Sequence, residues 1–508
     1  MAATEATADP RGDWRDGLSE TADRASLLPI RRVQHDSRQV ERGDLFVCIA
    51  GERADGHDFA PQAVANGAVA LLAASDRVEG LRDLGVPVVG VANPRAAMAS
   101  VAAAHEGYPG RALTTIGITG TDGKSTTAFL TLAALEGAGL RAGLLSTIES
   151  RIGGEVVPIE ARLTTQESPV VQRLLGDMVD AGCTHAVVEA TSHGLELHRL
   201  DACWFDVGVF TNLTPDHLDF HATFEAYRKA KGRLFEMLNE QPHGAPRRTA
   251  VLNRDDPSWE YFAARTSARV VTYGIENEEA DVRAEEVMEW PDGSTFTLTA
   301  GEDSIEASVR LPGRFNVANA TAAITAGAAL GLEIEAVAAG VASCAGVPGR
   351  MERIGGAPFE VVVDYAHTPA ALALVLETLR GVVDGRLIVV FGCAGERSRD
   401  RRVGLGTAAA RGADYAIITE EDPRSEPSEQ ISGQIAEAMA AAGAVEGERF
   451  ERVESRREAI SRGLELARPG DLLLIAGKGH ERSIERADGP EPWDDRQVTR
   501  EAIAARFG

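Results

Sequence analysis

Short runs of apolar residues, each ending abruptly in polar or glycine-rich sequence, recur along most of the chain. In the middle of the chain the runs LTTIGITG, THAVVEA and FDVGVFTNL lead into TDGKS, TSHG and TPDHLD, respectively. Continuous apolar runs of this length are typical of parallel strands that are buried on both faces of a sheet. The stretch STTAFLTLAALEGAG after the first run predicts a helix, because it starts with Ser and Thr and ends with Gly. We therefore predict an α/β domain here.

Apolar runs of the same kind lie on both sides of this region. GDLFVCIAG and VPVVGVAN precede it, and FEVVVDYAHT, RLIVVFGCAGE, ADYAIITEEDPR and GDLLLIAGKGHE follow it. Glycine and proline at 107–113 and 347–350 are typical of linkers. We expect a central P-loop ATPase-type parallel sheet, flanked by a small N-terminal α/β domain and a C-terminal Rossmann-like α/β domain. The predicted domains are residues 1–112, with a flexible leader at 1–24, residues 113–346 and residues 347–508.

Composition narrows the class of protein. The 508 residues carry a net charge of -25, which argues against nucleic acid or an anionic membrane as a partner. No run of 18 apolar residues and no secretory signal is present in the sequence. The five cysteines are far apart, which fits a reducing compartment. We expect a cytoplasmic protein.

Lysine is unusually scarce. Of 52 basic residues only Lys124, Lys229, Lys231 and Lys478 are lysines, and the others are arginines. A codon bias that replaces surface lysine by arginine accounts for the count. The remaining lysines are then candidates for positions where arginine cannot do the same chemistry.

Residues 117–125, GITGTDGKS, lie between a predicted strand and a predicted helix. Backbone amides at such a turn bind phosphates, with Lys124 reaching the β and γ oxygens and the Ser125 hydroxyl binding Mg²⁺. Ile118 stands where the general P-loop pattern has its first glycine. Glu189 ends the next predicted strand, where it suits either an Mg²⁺ ligand or a helix cap.

Two further residues of the middle region are candidates for chemistry. His217 is grouped with Asp216, Asp219 and His221, which favours a metal or phosphate role over a surface histidine. Lys231 lies on a predicted helix, where a lysine is normally a solvated charge. Its retention among so few lysines instead favours a reactive amine.

Charged residues also follow the predicted strands of the third region. An arginine cluster there suits a carboxylate-bearing substrate, although such clusters also form solvated faces. The sequence-predicted candidates are Asp364, His367, Arg397, Arg399, Arg401, Arg402, Arg424, Lys478, His480 and Glu481.

Taken together, these strings resemble the Mur ligases, the ATP-dependent amino-acid ligases of peptidoglycan precursor synthesis. The resemblance runs from about residue 30 to the C-terminus and is greatest to the MurE branch, which adds the third amino acid to UDP-N-acetylmuramoyl-L-alanyl-D-glutamate. It rests on twelve strings in the family's order: HDSRQVERGDLFVCIAG, GITGTDGKSTT, LTTQESP, VEATSHGLELHR, TNLTPDHLDFH, AKGRLF, LPGRFNVANATAA, VPGRMERI, VDYAHTPAAL, FGCAGERSRDRR, EDPRSE and AGKGHE.

The resemblance implies a role for each domain and for individual residues. It makes 1–112 the UDP-sugar-binding domain, 113–346 the ATP-binding domain and 347–508 the amino-acid-binding domain. The resemblance implies four catalytic residues: Lys124, Glu189, His217 and Lys231. It implies that Lys231 is carbamylated by CO₂ and that the resulting carboxylate helps to hold one of two Mg²⁺ ions. The other implied metal ligands are Ser125, Glu189 and His217. The nucleotide-binding set is Gly120, Thr121, Asp122, Gly123, Lys124, Ser125, Thr126, Asn319, Arg350 and Asp364. The UDP-sugar dipeptide set is Ser37, Thr164, Thr165, Ser192 and Arg199. The amino-acid set is Arg397, Asp422, Pro423, Arg424, Gly477 and Glu481.

The chain departs from the family's strings at several positions. Asp122 and Thr191 replace Asn and Ser, Leu197 replaces Gln, and Glu396 and Ser398 flank Arg397 in place of two aspartates. The usual Asp-Asn-Pro-Arg selectivity string reads Glu421-Asp422-Pro423-Arg424. Its arginine would pair with a carboxylate of meso-diaminopimelate, whereas the added acidity also suits L-lysine or L-ornithine.

The resemblance implies ATP, two Mg²⁺ ions and carbamate-forming CO₂ as cofactors, with the UDP-sugar dipeptide and a diamino acid as substrates. We also expect a monomer, and the sequence leaves the oligomeric state open. The other hypotheses are a related ligase, such as the D-Glu-adding or D-Ala-D-Ala-adding enzyme or folylpolyglutamate synthase, a P-loop ATPase or regulatory nucleotide-binding module, and a non-catalytic relative. The strings GERSRDRR, EDPR and GKGHE favour the MurE-like interpretation over the related ligases.

Overall fold

The structure is a computed structural model that describes residues 30–51, 54–157, 165–239 and 248–508. The predicted leader at 1–24 and the candidate Thr164 lie outside these ranges. Within them, the chain is α/β throughout, as the apolar runs predict. No helix in these ranges is both long enough and apolar enough to cross a membrane.

A small parallel sheet forms first. Its neighbouring strands follow chain order: Val33–Gln34 (β1), Leu45–Val47 (β2), Ala70–Ala74 (β3) and Val88–Val91 (β4). The apolar run before β3 divides into the helix Ala60–Asn66 and the strand, with Gly67 in the left-handed conformation between them. The helix Pro94–His105 packs Met98 and Ala102 against Val33, Val47 and Leu72.

The central sheet contains the three runs of the middle region. Its strands are Thr114–Thr119 (β5), Ala142–Leu145 (β6), Ser150–Ile152 (β7), Glu155–Val157 (β8), His185–Glu189 (β9), Val207–Phe210 (β10), Thr249–Asn253 (β11) and Arg269–Gly274 (β12). The order is β12-β11-β10-β5-β9-β6-β7-β8, and the pairs from β12 to β6 are parallel. Ile118 pairs with Glu189 and Thr119 with Phe210, so the strands carrying the candidate residues end level with one another.

Three further strands follow that the apolar runs do not predict: Val282–Trp290 (β13), Gly293–Ala300 (β14) and Asp303–Val309 (β15). They are neighbours in the order β13-β14-β15, and the start of β13 pairs with the end of β12. Exposed and buried residues alternate along these strands, as in VRAEEVMEW. They therefore lack the continuous apolar run of a strand that is buried on both faces.

The third sheet is again mainly parallel. Its strands are Glu352–Arg353 (β16), Glu360–Asp364 (β17), Leu387–Phe391 (β18), Tyr415–Ile418 (β19), Phe450–Arg452 (β20) and Leu472–Ala476 (β21), in the order β16-β17-β21-β18-β19-β20. Only β16 is antiparallel to its neighbour. A separate hairpin joins Ser483–Arg486 (β22) to Gly489–Pro492 (β23).

Helices alternate with these strands. Those of the first two sheets are Pro109–Ala112, Lys124–Gly137, Ser168–Asp180, Ser192–Glu196, Leu218–His221, Phe224–Met237, Trp259–Ala263, Arg314–Ala329 and Ile334–Ser343. Those of the third are Pro369–Arg380, Arg399–Gly412, Ser428–Ala441, Arg456–Leu466 and Asp495–Phe507. Short 3-10 helices occupy Ser37–Gln39, Gly56–Phe59 and Val78–Leu84.

By contacts, the chain divides into two compact units. The first contains the N-terminal region to Arg283 with 299–303 and 318–341, and the second contains 284–298, 304–317 and 342–508. The predicted α/β fold class, with three mainly parallel sheets, is confirmed. The domain boundaries near residues 112 and 347 stay predictions.

Candidate functional site

The turn between β5 and the helix Lys124–Gly137 has no room for a side chain at Gly120 and Gly123. A Cβ on Gly120 would lie 1.8 Å from Thr211 Oγ1, and Gly123 adopts a φ of +81° with its Cβ position 2.4 Å from Asn319 Oδ1. Lys124 Nζ donates to the Thr121 carbonyl at 2.7 Å, within the same turn. The two glycines therefore let the turn pack closely against Thr211 and Asn319, and the start of the helix that follows is the kind of place where backbone amides bind phosphate.

The loop after β10 supports this turn. The Asp122 amide donates to Asn212 Oδ1 at 2.9 Å, and Thr211 Oγ1 donates to the Asp122 carbonyl at 2.6 Å. Thr121 Oγ1 lies 3.1 Å from the Tyr227 hydroxyl. Because Asp122 is held through its backbone, aspartate replaces asparagine here without changing these bonds.

Glu189 lies directly beside Ser125. The Ser125 hydroxyl is 3.1 and 3.0 Å from the two carboxylate oxygens, and the Thr147 amide donates to Oε2 at 3.0 Å. Glu189 is 3% exposed and its backbone ends β9, so it is not a helix cap. The structure thus brings together the hydroxyl and the carboxylate that the sequence predicts as magnesium ligands.

Lys231 is buried in the helix Phe224–Met237, with 1% of its surface exposed. Its Nζ donates to the Gly120 carbonyl at 2.5 Å and lies 4.5 Å from the centre of the Tyr227 ring. Burial, and secondarily the charge of Lys124, lower the pKa of Lys231 well below its usual value. Lys229, two residues earlier, is exposed, so the solvated-charge alternative holds for Lys229 and is wrong for Lys231.

His217 lies in an aromatic cluster close to this helix. It adopts a φ of +51°, its ring is 4.8 Å from that of His193 and 6.2 Å from that of Tyr227, and its side chain is 48% exposed. The described residues contain no group of three or more His, Cys, Asp or Glu side chains arranged to hold a metal ion.

Two more members of the predicted nucleotide set lie in the first unit. Thr126 is buried at the start of the helix that begins at Lys124, and Asn319 accepts a 3.2 Å hydrogen bond from Thr127 through Oδ1. Asn319 therefore contacts both the turn and the helix that follows it.

The predicted dipeptide-binding residues form a second group in the first unit. Thr165 Oγ1 lies 2.8 Å from Thr191 Oγ1 and donates to the Glu189 carbonyl at 3.2 Å. Arg199 donates to the Thr165 carbonyl at 3.1 Å, and Ser192 is buried at the start of its helix. Ser37 lies apart from them, on a 3-10 helix where its hydroxyl donates to Gln62 at 3.1 Å.

Glu167 is a residue of this group that the sequence analysis misses. It pairs with Arg199 at 2.7 Å and with Arg95, from the helix Pro94–His105, at 3.4 Å. Burial lowers the pKa of His35, which lies within reach of the charges of Glu167 and both arginines. Its place in the string LTTQESP, two residues after Thr165, is the sequence signal that points to it.

In the second unit, Asp364 ends β17 and organises the adjoining loops. Its carboxylate accepts from the Met351 and Ala366 amides, both at 2.7 Å. The Arg350 guanidinium carbon lies 4.4 Å from the centre of the Tyr365 ring. The predicted nucleotide residues Arg350 and Asp364 therefore lie on neighbouring loops of the third sheet.

The loops after β19 and β21 meet through charged side chains. Lys478 Nζ donates to Asp422 Oδ1 at 2.7 Å and also pairs with Glu481. Gly477 has a φ of +111° and donates its amide to the Asp364 carbonyl at 3.1 Å. Glu421 and Pro423 are buried, and burial raises the pKa of Glu421 to about 7.

The arginines of the predicted amino-acid set are more accessible. Arg424 is 32% exposed at its side chain, adopts a φ of +54° and lies 3.8 Å from Glu396. Arg397 is exposed on the loop after β18. The other three arginines of the cluster contact protein. Arg399 pairs with Glu437 at 3.0 Å, Arg401 donates to the His367 carbonyl, and buried Arg402 pairs with Glu426.

Family models match most of the chain. They are described as "Mur ligase family, catalytic domain" at residues 29–109, "Mur ligase middle domain" at 118–327 and "Mur ligase, glutamate ligase domain" at 349–479.

Curated relatives match over the full length. A UDP-N-acetylmuramyl-tripeptide synthetase from Roseiflexus sp. is 45% identical, covering 96% of this chain and 97% of the relative. A UDP-N-acetylmuramoyl-L-alanyl-D-glutamate--2,6-diaminopimelate ligase from Streptomyces coelicolor is 42% identical, covering 99% and 98%.

Solved structures share the fold. One titled as a UDP-N-acetylmuramoyl-L-alanyl-D-glutamate--2,6-diaminopimelate ligase has a TM-score of 0.66 at 33% identity, covering 94% of this chain and 96% of that one. The MurF ligase from Thermotoga maritima in complex with ADP has a TM-score of 0.62 at 21% identity, covering 95% and 98%, and shows the fold alone. From the matched regions and the full-length identity, the chain belongs to the Mur ligase family.

Proposed function

We propose that this protein adds meso-diaminopimelate to the D-glutamyl γ-carboxylate of UDP-N-acetylmuramoyl-L-alanyl-D-glutamate, with ATP as the energy source. The γ-carboxylate attacks the γ-phosphate of ATP, releasing ADP and forming an acyl phosphate. The amine of the diamino acid then attacks the acyl carbon, forming the amide and releasing inorganic phosphate. The relatives whose printed names state this ligation are 39–42% identical over 93–99% of the chain.

One observation carries the proposal. Around the Gly120–Ser125 turn, Ser125 contacts Glu189 at 3.0 Å and Lys231 contacts the Gly120 carbonyl at 2.5 Å. These groups come from three separate parts of the sequence and meet at one end of the central sheet. A phosphate turn that served only as a structural connection would not require a buried carboxylate and a buried amine beside it.

The donor set around this turn fits Mg²⁺. Ser125 and Glu189 offer hard oxygen ligands, and Mg²⁺ usually keeps several waters and binds through one or two protein groups plus substrate phosphates. His217 and Lys231, as a carbamate, complete the proposed set for two ions. When bound, Mg²⁺ offsets the negative charge that gathers as the carboxylate approaches the phosphate.

The side chains of the turn have separate proposed tasks. Lys124, which now donates to Thr121, would exchange that carbonyl for phosphate oxygens and stabilise charge on the transferred group. Backbone amides of Gly120–Thr126 would hold the phosphates, and Asn319, Arg350 and Asp364 would contact the nucleotide. Ser37, Thr164, Thr165, Ser192 and Arg199 would hold the sugar dipeptide, with Glu167 orienting Arg199.

Lys231 is the proposed carbamylation site. Carbamate formation needs a primary amine that can lose its proton, which arginine does not offer. The lysine is buried against Tyr227 and the turn, so a carboxylate formed on its Nζ would lie beside the proposed metal ligands.

We assign Arg397, Asp422, Pro423, Arg424, Gly477 and Glu481 to the incoming amino acid. The accessible Arg424 guanidinium suits the second carboxylate of meso-diaminopimelate, which L-lysine and L-ornithine lack. We further propose a cytoplasmic monomer. The few, widely spaced cysteines fit a reducing compartment, and the acidic charge argues against nucleic acid or an anionic membrane as a partner.

An assay of phosphate release tests the reaction. With the UDP-sugar dipeptide and ATP present, we expect release to depend on meso-diaminopimelate, and to be much lower with L-lysine or L-ornithine. With ¹⁸O in the D-glutamyl carboxylate, the label should appear in the released phosphate, and unlabelled phosphate contradicts the acyl-phosphate route. Equal release without any amino acid would instead indicate the P-loop ATPase alternative.

A pair of lysine variants tests the carbamate. We expect Lys231→Ala to lose activity that bicarbonate does not restore, whereas Lys229→Ala, which removes an exposed lysine from the same helix, keeps it. Full activity of Lys231→Ala would refute the assignment.

A further inference from the structure

Lys478 is buried, with 1% of its side chain exposed, in the loop that follows β21. None of the proposed steps uses it. Its Nζ donates to Asp422 Oδ1 at 2.7 Å and pairs with Glu481, so one ammonium serves two carboxylates. A lysine buried this deeply is stable only when such partners offset its loss of hydration.

The two carboxylates belong to different parts of the amino-acid site. Asp422 lies in the Glu421–Arg424 loop after β19, and Glu481 lies three residues beyond Lys478. Asp422 Oδ1 also accepts from the Glu485 amide at 2.8 Å, and the Arg424 amide donates to the Glu485 carbonyl at 2.8 Å. Lys478 therefore connects the Glu421–Arg424 loop, called the selectivity loop below, to the loop after β21. The hairpin β22–β23 also contacts the selectivity loop, through Glu485.

These contacts offset part of the negative charge of the acidic residues in the site, since one ammonium faces two carboxylates. Asp422, which replaces the family's neutral asparagine, is engaged by Lys478 and by a backbone amide. Glu481 is engaged by Lys478 and accepts from the Tyr365 hydroxyl at 3.3 Å. Burial raises the pKa of Glu421 to about 7, so this carboxyl holds much of its proton near neutral pH. The remaining accessible charge of the selectivity loop is the Arg424 guanidinium.

We propose that Lys478 is a specificity-determining positioning residue, which engages Asp422 and Glu481 and offsets one of their two negative charges, so that the site accepts a diamino acid with a second carboxylate. This inference rests on the proposed ligase function and deepens it. The acidic string Glu421-Asp422-Pro423-Arg424 also suits L-lysine by charge alone, but the pairing of Asp422 with Lys478 disfavours that substrate. The aspartate is paired within the protein and is therefore not available to bind the side-chain ammonium of L-lysine.

The expected effect follows from the charge balance. Removing the Lys478 charge leaves the site one unit more negative, which repels the extra carboxylate of meso-diaminopimelate. L-Lysine lacks that carboxylate, so its binding is not penalised in the same way. At the effective dielectric of a partly buried site, one uncompensated charge a few ångströms away changes relative affinity by about tenfold or more.

The experiment is a charge-swap series in the complete enzyme, with kcat/KM measured for meso-diaminopimelate and for L-lysine. Lys478→Met should lower the ratio of the two values by about tenfold or more. Asp422→Asn should raise the ratio, since Lys478 then has only Glu481 as its partner. The double variant should return the ratio towards that of the wild type. Lys229→Met, which removes an exposed lysine elsewhere, should leave it unchanged.

The series separates this role from simple support of the fold. If Lys478 only holds the loops together, Lys478→Met lowers both kcat/KM values equally and the double variant gives no recovery of the ratio, which would overturn the proposal. If Lys478→Met does not fold, an Asp422→Asn ratio equal to or below the wild-type ratio overturns it. Failure of the proposed function is a different result: the wild type then releases no phosphate in response to either amino acid.

Discussion

Replacing Arg456 by methionine should destabilise the second unit more than any exposed arginine change. The Arg456 side chain and Asp495 are both fully buried and form two hydrogen bonds of 2.7 Å. The same guanidinium donates to the Glu420 carbonyl at 3.2 Å and to the Ala476 carbonyl at 2.8 Å. Trp493 Nε1 donates to Asp495 at 2.8 Å. Burial acts to lower the pKa of Arg456, but Asp495 outweighs it and raises that pKa.

The magnitude follows from what the substitution leaves behind. Arg456→Met leaves Asp495 as a buried charge without its cation, and breaking a buried pair in this way costs about 3–5 kcal/mol. For a unit of this size, each kcal/mol shifts the midpoint of thermal unfolding by about 2–4 °C. We therefore expect Tm to fall by about 6–20 °C.

The loss should also affect the amino-acid site. Glu420 and Ala476, whose carbonyls Arg456 binds, immediately precede the loops that carry Asp422 and Gly477. Without the guanidinium, both loops lose the hydrogen bonds that hold them to the same side chain. The KM for the amino acid should therefore rise by a larger factor than the KM for ATP.

Arg457 supplies a matched control, because it is adjacent in the chain but exposed, and it pairs with Glu501 at 3.2 Å on the surface. Arg457→Met should change stability by about 0.5 kcal/mol or less. Calorimetry and steady-state kinetics on both variants measure the two effects. Equal Tm values for Arg456→Met and Arg457→Met would refute the reasoning. Recovery of part of the loss in Arg456→Met/Asp495→Leu would support it, since the orphaned charge is then removed.

Two further predictions concern a titrating carboxyl and a constrained glycine. The pKa of Glu421 is raised to about 7, so its stabilising contribution is present at low pH and lost as pH rises from its unfolded value through about 7. Over that range the wild-type protein should lose about 3 kcal/mol of stability, and Glu421→Gln should not show this loss. Tm measured against pH tests this, and identical pH profiles for the wild type and Glu421→Gln would contradict it. Gly123→Ala should weaken ATP binding, because its Cβ would lie 2.4 Å from a neighbouring side-chain oxygen. Gly139→Ala has a similar φ of +79° but open space around its Cβ, so calorimetric titration should show no change in affinity.

The sequence predicts the parallel strands well because they are buried on both faces, and burial leaves a continuous apolar run. The runs ending at Thr119, Glu189 and Phe210 each form a strand of the central sheet. The strands at 282–309 carry alternating exposed and buried residues, and the apolar-run criterion misses them. A continuous apolar run therefore identifies a strand only where both of its faces are buried.

By itself, the sequence determined the α/β class, the phosphate turn with Lys124 and Ser125, and the importance of its few lysines. These follow from local order along the chain, because strand, turn and helix are adjacent there. The tertiary structure alone decided which lysines are buried and what they contact. Lys231 against Gly120, Lys478 against Asp422 and Glu167 against Arg199 are pairs separated by 111, 56 and 32 residues, respectively. Lys478 and Asp422 meet because parallel strands place their distant carboxyl ends at one edge of the sheet. Lys231, in the helix Phe224–Met237, and Glu167, at the start of the helix Ser168–Asp180, reach their partners through the packing of helices.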